Sequence, residues 1–82
     1  MIRISKLQLQ ILDVFVQLNA NELTLESLKK EMAERHQKQA SSVGRSCQTL
    51  AENGYLTRNV DAASLVVSYK ITTQGRVLII DK

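Results

Sequence analysis

The spacing of apolar residues predicts a helix near the start of the chain. Five apolar positions share one helical face, at spacings of i, i+4, i+7, i+8 and i+11: Leu7, Ile11, Val14, Phe15 and Leu18. Ser5 and Gln8, three residues apart where this face begins, have the spacing of a capping box at a helix N-terminus. We therefore expect helix 1 over about residues 6–18.

Two further helical patterns follow. After a turn-like stretch over residues 19–22, Thr24 is a favourable N-cap for a helix with Leu25, Leu28 and Met32 on one face. This pattern predicts helix 2 over about residues 25–35.

The third helical pattern starts after the polar residues 36–40. Ser41 and Ser42 are both favourable N-cap residues, and Gly54 suits the left-handed position that ends many helices. The apolar positions between them recur with a helical period: Val43, Cys47, Leu50 and Ala51. We expect helix 3 over about residues 43–53.

The next part of the chain has the composition of a β-hairpin. β-branched and aromatic residues are frequent on both sides of the polar connector 61–64, which predicts a hairpin over about residues 55–71. Thr72 or Thr73 can then cap a last element over about residues 74–82. Its apolar run fits a short helix or a strand by periodicity, and we favour the helix.

This element order is that of a winged helix-turn-helix. The stretch Leu50–Arg58 resembles the junction between recognition helix and wing in MarR- and PadR-like bacterial regulators, and Tyr69–Arg76 resembles the end of their second wing strand. The resemblance covers about residues 7–76. It implies an α+β, mainly helical fold with a three-helix core, a two-stranded wing and a short C-terminal element. The long terminal helices through which the MarR type dimerises and forms its ligand pocket have no counterpart in these residues.

Length and composition limit the possible functions. Eighty-two residues predict one domain over residues 1–82, which excludes a multidomain enzyme. Aromatic residues make up only 4% of the chain, so a base-stacking surface of the kind that binds single strands is not expected. The formal net charge is +3, and residues 35–60 carry all of it because the charges on either side cancel. The middle of the chain is therefore the part suited to a polyanion.

Cysteine content and hydropathy indicate the compartment. Cys47 is the only cysteine, so no internal disulfide can form and a secreted disulfide scaffold is excluded. No apolar run approaches the ~20 residues of a membrane helix, and residues 1–5 lack the apolar segment of a signal peptide. We expect a cytoplasmic, unprocessed protein that makes no contact with a membrane.

The outward face of helix 3 carries the side chains that read base edges in the major groove. The base-facing candidates are Arg45, Ser46, Gln48 and Thr49. Arginine can donate two hydrogen bonds to guanine, glutamine can pair with adenine, and hydroxyl groups can reach a base or a phosphate. An ordinary solvated polar stripe would have the same pattern.

Candidate phosphate contacts surround this face: Lys38, Ser41, Ser42, Arg58 and Lys70. The two serines lie near the N-terminus of helix 3, where backbone N–H groups and the helix dipole attract phosphate. The wing tip, residues 61–64, is less suited to DNA because it has no Lys or Arg and Asp61 repels phosphate.

The residue pattern gives little support to catalysis. His36 is the only histidine, and no second type of metal ligand clusters with it. Cys47 falls on the apolar face of helix 3, as a core residue rather than a nucleophile. The three glycines are scattered and form no phosphate-binding loop. We expect no enzymatic activity, no metal and no cofactor.

Helix 1 carries a second apolar stripe opposite the first. Either the C-terminal element or a second copy of the chain must cover this stripe. We expect a homodimer through helix 1 and the C-terminal element, with these interface residues: Leu9, Leu12, Val16, Val77 and Ile80.

Together these patterns predict a bacterial or phage transcriptional regulator that binds double-stranded DNA sequence-specifically, with helix 3 in the major groove. The alternative is a winged helix that serves as a protein-interaction module, which the neutral wing tip and the apolar helix 1 favour. A positive face around helix 3 supports DNA binding, whereas a large exposed apolar patch there supports a protein partner.

Overall fold

The computed structural model describes residues 4–80, which form four helices and three strands. In chain order the elements are α1 (Lys6–Gln17), β1 (Glu22–Thr24), α2 (Leu25–His36), α3 (Ala40–Glu52), β2 (Leu56–Val60), β3 (Val67–Ile71) and α4 (Thr73–Ile80). The predicted order of three helices, a hairpin and a last helical element is confirmed. Residues 81–82, the end of the predicted last element, lie outside the described residues.

The first two helices begin where their capping residues predict. The Ser5 hydroxyl accepts a hydrogen bond from the Gln8 backbone N–H, and the Gln8 side chain accepts one from the Ser5 backbone N–H, both at 3.2 Å. Thr24 caps α2 by accepting from the Ser27 backbone N–H at 3.1 Å. Local side-chain chemistry therefore sets both boundaries.

The start of α3 differs from the prediction. The N-cap is Gln39, which makes no side-chain cap bond, so Ser41 and Ser42 are not N-caps but lie in the first turn. The C-cap of α2, Gln37, has a left-handed conformation (φ 57°), which changes the direction of the chain directly after α2. Helix α3 can therefore begin at Ala40, before the two serines. Ala40 has the highest helix propensity of any residue type, so α3 can begin there without a cap.

The end of α3 follows the prediction. Gly54 takes the left-handed conformation with φ 85°, and the Tyr55 backbone N–H donates to the Leu50 carbonyl at 2.9 Å. This arrangement turns the chain directly into β2.

The wing belongs to a three-stranded antiparallel sheet in the order β1-β3-β2. The β2–β3 hairpin confirms the predicted wing. Strand β1 was not predicted, because the stretch that ends at Glu22 was expected to be a turn. Three residues are too few to show an alternating pattern, so only pairing with β3 makes β1 a strand. Because β1 leads into α2, it ties the base of the wing to the helix-turn-helix.

One hydrophobic core joins α1, α2, α3 and the inner face of the sheet. Its fully buried members include Phe15, Leu28, Met32 and Leu50. Cys47 is buried among them, as predicted, and burial raises the pKa of its thiol to about 12, while the charge of Lys29 has the smaller, opposite effect. A thiol with this pKa stays protonated at neutral pH, which fits a packing role.

Helix α4 covers part of the second apolar stripe of α1. Thr72 caps this helix: its hydroxyl accepts from the Gly75 N–H at 3.1 Å and donates to the Gly54 carbonyl at 2.7 Å. Leu12 has no exposed surface, so the prediction that it contributes to a dimer interface is wrong. Its side chain lies in the core of the chain itself, next to the Gly75 backbone.

Candidate nucleic-acid interface

Helix α3 presents a polar row along its outward face. Ser41, Arg45, Gln48 and Glu52 recur at helical spacing, and all four are exposed. The buried residues Val43, Cys47 and Leu50 hold the opposite face of α3 against the core. The helix is thus fixed by its apolar side and leaves the polar row free for a ligand.

Two of the predicted base-facing residues lie at the edge of this row. Ser46 and Thr49 are half-buried, whereas Arg45 and Gln48 are exposed. The Thr49 hydroxyl also donates to the Arg45 carbonyl at 3.1 Å. This bond occupies the hydroxyl proton, which leaves Arg45 and Gln48 as the two side chains best placed to reach an external partner.

The N-terminal end of α3 forms one shallow concavity with α1. Ser41, Ser42, Arg45 and Ser46 line it together with Leu7. Although the two serines are not N-caps, they lie in the first turn, where the backbone N–H groups have no intrahelical partner. This concavity is suited to an anion because it collects hydrogen-bond donors: the serine hydroxyls, the free backbone N–H groups and the Arg45 guanidinium.

A second concavity lies between the C-terminal half of α3 and strand β2. Gln48 and Glu52 contribute from the helix, and Arg58 contributes from the strand. Arg58 is paired directly with Tyr69 across the hairpin, so both side chains lie on the inner face of the sheet. Burial raises the pKa of the Tyr69 hydroxyl, while the charge of Arg58 acts in the opposite direction.

Of the remaining predicted phosphate contacts, Lys70 is separated from this site and Lys38 precedes α3. Lys70 is adjacent to Tyr69 in β3, so it points to the outer face of the sheet, away from Arg58. Its cross-strand partners are Thr57 and Glu22. Lys38 is half-buried in the connection between α2 and α3. The structure therefore does not place Arg58 and Lys70 on one phosphate-binding face.

The wing tip carries no basic side chain, and an exposed aliphatic residue follows it. Asp61 is engaged in the loop itself, since its carboxylate accepts from the backbone N–H groups of Ala63 at 2.8 Å and Ser64 at 3.3 Å. Leu65 follows with φ 60° and is 72% exposed. This loop turns an aliphatic side chain outward where a basic wing would carry arginine.

Sequence reasoning did not single out Glu52 or Tyr69 as parts of the site. Helical spacing places Glu52 on the outward face of α3, but its negative charge repels phosphate, so the sequence pattern did not indicate it as a DNA contact. Tyr69 joins the site only through its pairing with Arg58, and the register of the hairpin is needed to see that pairing.

Within residues 4–80, the large exposed hydrophobic residues lie on α1, the loop after it, the wing and α4, and none lies on α3. No helix in this range is long and apolar enough to cross a membrane. The same residues contain no cluster of three His, Cys, Asp or Glu side chains arranged to bind a metal.

Comparisons with known proteins identify the fold through structure alone. No protein-family model and no curated protein matches the chain. RosR of H. salinarum superposes with a TM-score of 0.80 at 16% identity, over 95% of this chain and 69% of RosR. A mutant of E. coli MarR, complexed with operator DNA, gives 0.75 at 20% identity, over 95% of this chain and 52% of MarR.

FabT of Streptococcus pneumoniae, in complex with DNA, gives a TM-score of 0.74 at 24% identity, over 94% of this chain and 50% of FabT. The chain thus spans about half the length of MarR and FabT. At these identities the likeness establishes the winged-helix fold.

Proposed function

On this fold, we propose that the chain binds double-stranded DNA sequence-specifically through α3 and acts as a transcriptional regulator in the cytoplasm. The observation that carries the proposal is the outward face of α3, which is polar, exposes Arg45 and Gln48 and has no large exposed hydrophobic residue. An α-helix with such a face fits the major groove. The DNA present in the MarR and FabT structures supports the same conclusion.

The proposed contacts divide into base readers and phosphate anchors. Arg45 and Gln48 read base edges, with Ser46 and Thr49 at the margin of the row. Ser41 and Ser42 bind a phosphate at the helix N-terminus, and Arg58 binds another from the wing side. Lys38 can contribute a further contact beside α3. We leave Lys70 out of this set because it lies on the outer face of the sheet.

Selection from a random duplex library tests the function directly. The purified protein is incubated with the library, and the bound duplexes are sequenced over several rounds. We expect a short motif to be enriched because Arg45 and Gln48 discriminate among base pairs. Recovery of unenriched sequences, or of no duplex at all, would contradict sequence-specific binding.

Binding is expected to depend moderately on salt. Arg58 and Lys38 neutralise about two phosphates per protomer, so the logarithm of the association constant should fall against the logarithm of salt concentration with a slope of about −1.8. The wing tip adds nothing to this slope because it carries no Lys or Arg. Fluorescence anisotropy across a salt titration measures the slope, and a flat line would exclude phosphate contact as the driving force.

We further propose that the regulator is a homodimer through α1 and α4. These two helices pack together, and Val16, Val77 and Ile80 remain 36%, 51% and 66% exposed on them. Leu9, half-buried on α1, stays in the proposed interface, whereas Leu12 does not. Because these three side chains are already partly covered, burying the remainder stabilises a dimer by about 0.5–2 kcal/mol each, before the cost of association. A two-fold dimer presents two α3 helices to half-sites about one DNA turn apart.

Charge at the interface should dissociate the dimer. The double variant Val16→Glu/Val77→Glu places two carboxylates on the proposed surface and should reduce the mass measured by light scattering from two chains to one. Leu65→Glu is the matched control, because Leu65 is more exposed than either valine but lies on the wing. An unaltered protein that is already monomeric would exclude the dimer.

Two exposed aliphatic residues that follow the wing tip favour one alternative function, a protein-interaction module. Leu65 and Val66 are both exposed next to the start of α2. If library selection enriches no motif and Leu65→Glu abolishes binding to a protein partner, this alternative replaces DNA binding.

A further inference from the structure

The end of α3 and the start of α4 meet in space, although the whole wing separates them along the chain. Gly54 directly follows the C-cap of α3, and Thr72 directly precedes α4. The Thr72 hydroxyl donates to the Gly54 carbonyl at 2.7 Å, and the Thr72 backbone N–H donates to the Tyr55 carbonyl at 3.1 Å. These two bonds join residues 17 and 18 positions apart, so they link the two helices directly at the base of the wing.

The Thr72 hydroxyl serves both helix ends at once. It also accepts from the backbone N–H of Gly75 at 3.1 Å, one of the N–H groups at the start of α4 that have no partner within the helix. A hydroxyl has a single proton, so donation to Gly54 leaves the oxygen lone pairs for Gly75. Because the residue is half-buried, water does not replace these partners freely.

The backbones at this junction are packed too closely to slide past each other. A Cβ on Gly75 would overlap the Tyr55 carbonyl oxygen, and a Cβ on Gly54 would lie 2.8 Å from the side-chain oxygen of Gln74. Backbone atoms have no alternative rotamers through which to relieve such contacts. A change in the angle between α3 and α4 must therefore break the bond from Thr72 to Gly54.

We propose that Thr72 is a positioning residue whose hydroxyl fixes the direction of α3 relative to α4. The inference rests on the proposed DNA-binding dimer for its purpose, but the positioning itself is a property of the free protein. Helix α4 lies in the proposed dimer interface and α3 reads the DNA. The junction between them thus sets how the two α3 helices are spaced, and with it the separation of half-sites that the dimer accepts.

A change in half-site spacing tests this role. Two base pairs inserted between the selected half-sites rotate one half-site by about 70° relative to the other, so binding with both α3 helices strains the junction. The insertion should lower the affinity of the unaltered protein, as measured by fluorescence anisotropy. In Thr72→Val, which lacks the hydroxyl but keeps the shape of the side chain, this loss should be about three- to tenfold smaller, the net effect of one hydrogen bond. Thr72→Ser keeps the hydroxyl and should show the full loss.

A third variant separates positioning from helix capping. The carboxylate of Thr72→Asp can still accept from the Gly75 N–H and cap α4, but it has no proton to donate to the Gly54 carbonyl. We expect it to tolerate the insertion as well as Thr72→Val does. Thermal unfolding checks that each variant is folded. If Thr72→Asp shows the full loss of affinity, the hydroxyl acts only as a cap and the positioning role is overturned.

A second measurement needs neither DNA nor a dimer. Residual dipolar couplings of the backbone N–H groups report the orientation of α3 and α4 in the protein alone. Both helices should fit one alignment tensor in the unaltered protein and in Thr72→Ser, whereas α4 should lose alignment relative to α3 in Thr72→Val. Unchanged alignment of α4 in Thr72→Val overturns the positioning role. If α4 loses alignment but the unaltered protein binds no duplex, the positioning stands and the proposed DNA function fails.

Discussion

Replacement of Gly75 by Ala is expected to destabilise the fold by about 2–3 kcal/mol, the cost of forcing extra volume into a packed site. A Cβ at this position would overlap the Tyr55 carbonyl oxygen and lie 3.0 Å from Ile71 Cγ1. The carbonyl cannot easily withdraw, because it accepts a hydrogen bond from the Thr72 N–H at 3.1 Å. Helix α4 must therefore shift away from the core.

Gly44→Ala is the matched control, since Gly44 also lies within a helix. A Cβ there would meet only the flexible end of Lys29, at 3.9 Å. The change should stabilise α3 by about 0.5–1 kcal/mol, because alanine loses less backbone entropy than glycine in a helix.

The two alanine variants should thus move the thermal unfolding temperature in opposite directions, by about 4–8 °C per kcal/mol, as followed by circular dichroism. A shift of the same sign in both would contradict the close seating of α4 against the core.

Periodicity and capping predicted most of the helical part of the fold because those signals are local. The faces of α1 and α2 and the caps at Ser5 and Thr24 depend on residues within one or two turns. The predicted start of α3 was wrong because Gln37 adopts a left-handed conformation and α3 then begins at Ala40 without a side-chain cap. A left-handed glutamine has no signature in the sequence.

Features that depend on contacts between distant parts of the chain could not be predicted from local sequence patterns. Strand β1 is defined by its register with β3, and Leu12 is buried because α4 folds back over α1. The same limit applied to the site. Arg45 and Gln48 follow from helical spacing, whereas the separation of Arg58 from Lys70 follows only from the register of the hairpin.

Arg45→Ala should produce the largest loss of DNA affinity among single changes on α3. Arg45 is exposed in the middle of the polar row and also lines the concavity at the helix N-terminus. Removal of a forked contact to guanine costs about 1–3 kcal/mol, which is about 5- to 150-fold in affinity for the selected site. Discrimination at one base pair should fall with it.

Arg45→Lys separates base reading from charge. Lysine keeps the positive charge but lacks the planar fork, so this variant should keep the salt dependence of the unaltered protein and still lose discrimination at the same base pair. Lys30→Ala on α2 removes one positive charge away from the row and should leave the preferred sequence unchanged. Anisotropy with the selected duplex and its single-base variants, repeated across a salt titration, measures all three. Undiminished discrimination by Arg45→Ala would mean that α3 does not read the DNA at this residue, and the wing would then become the next surface to test.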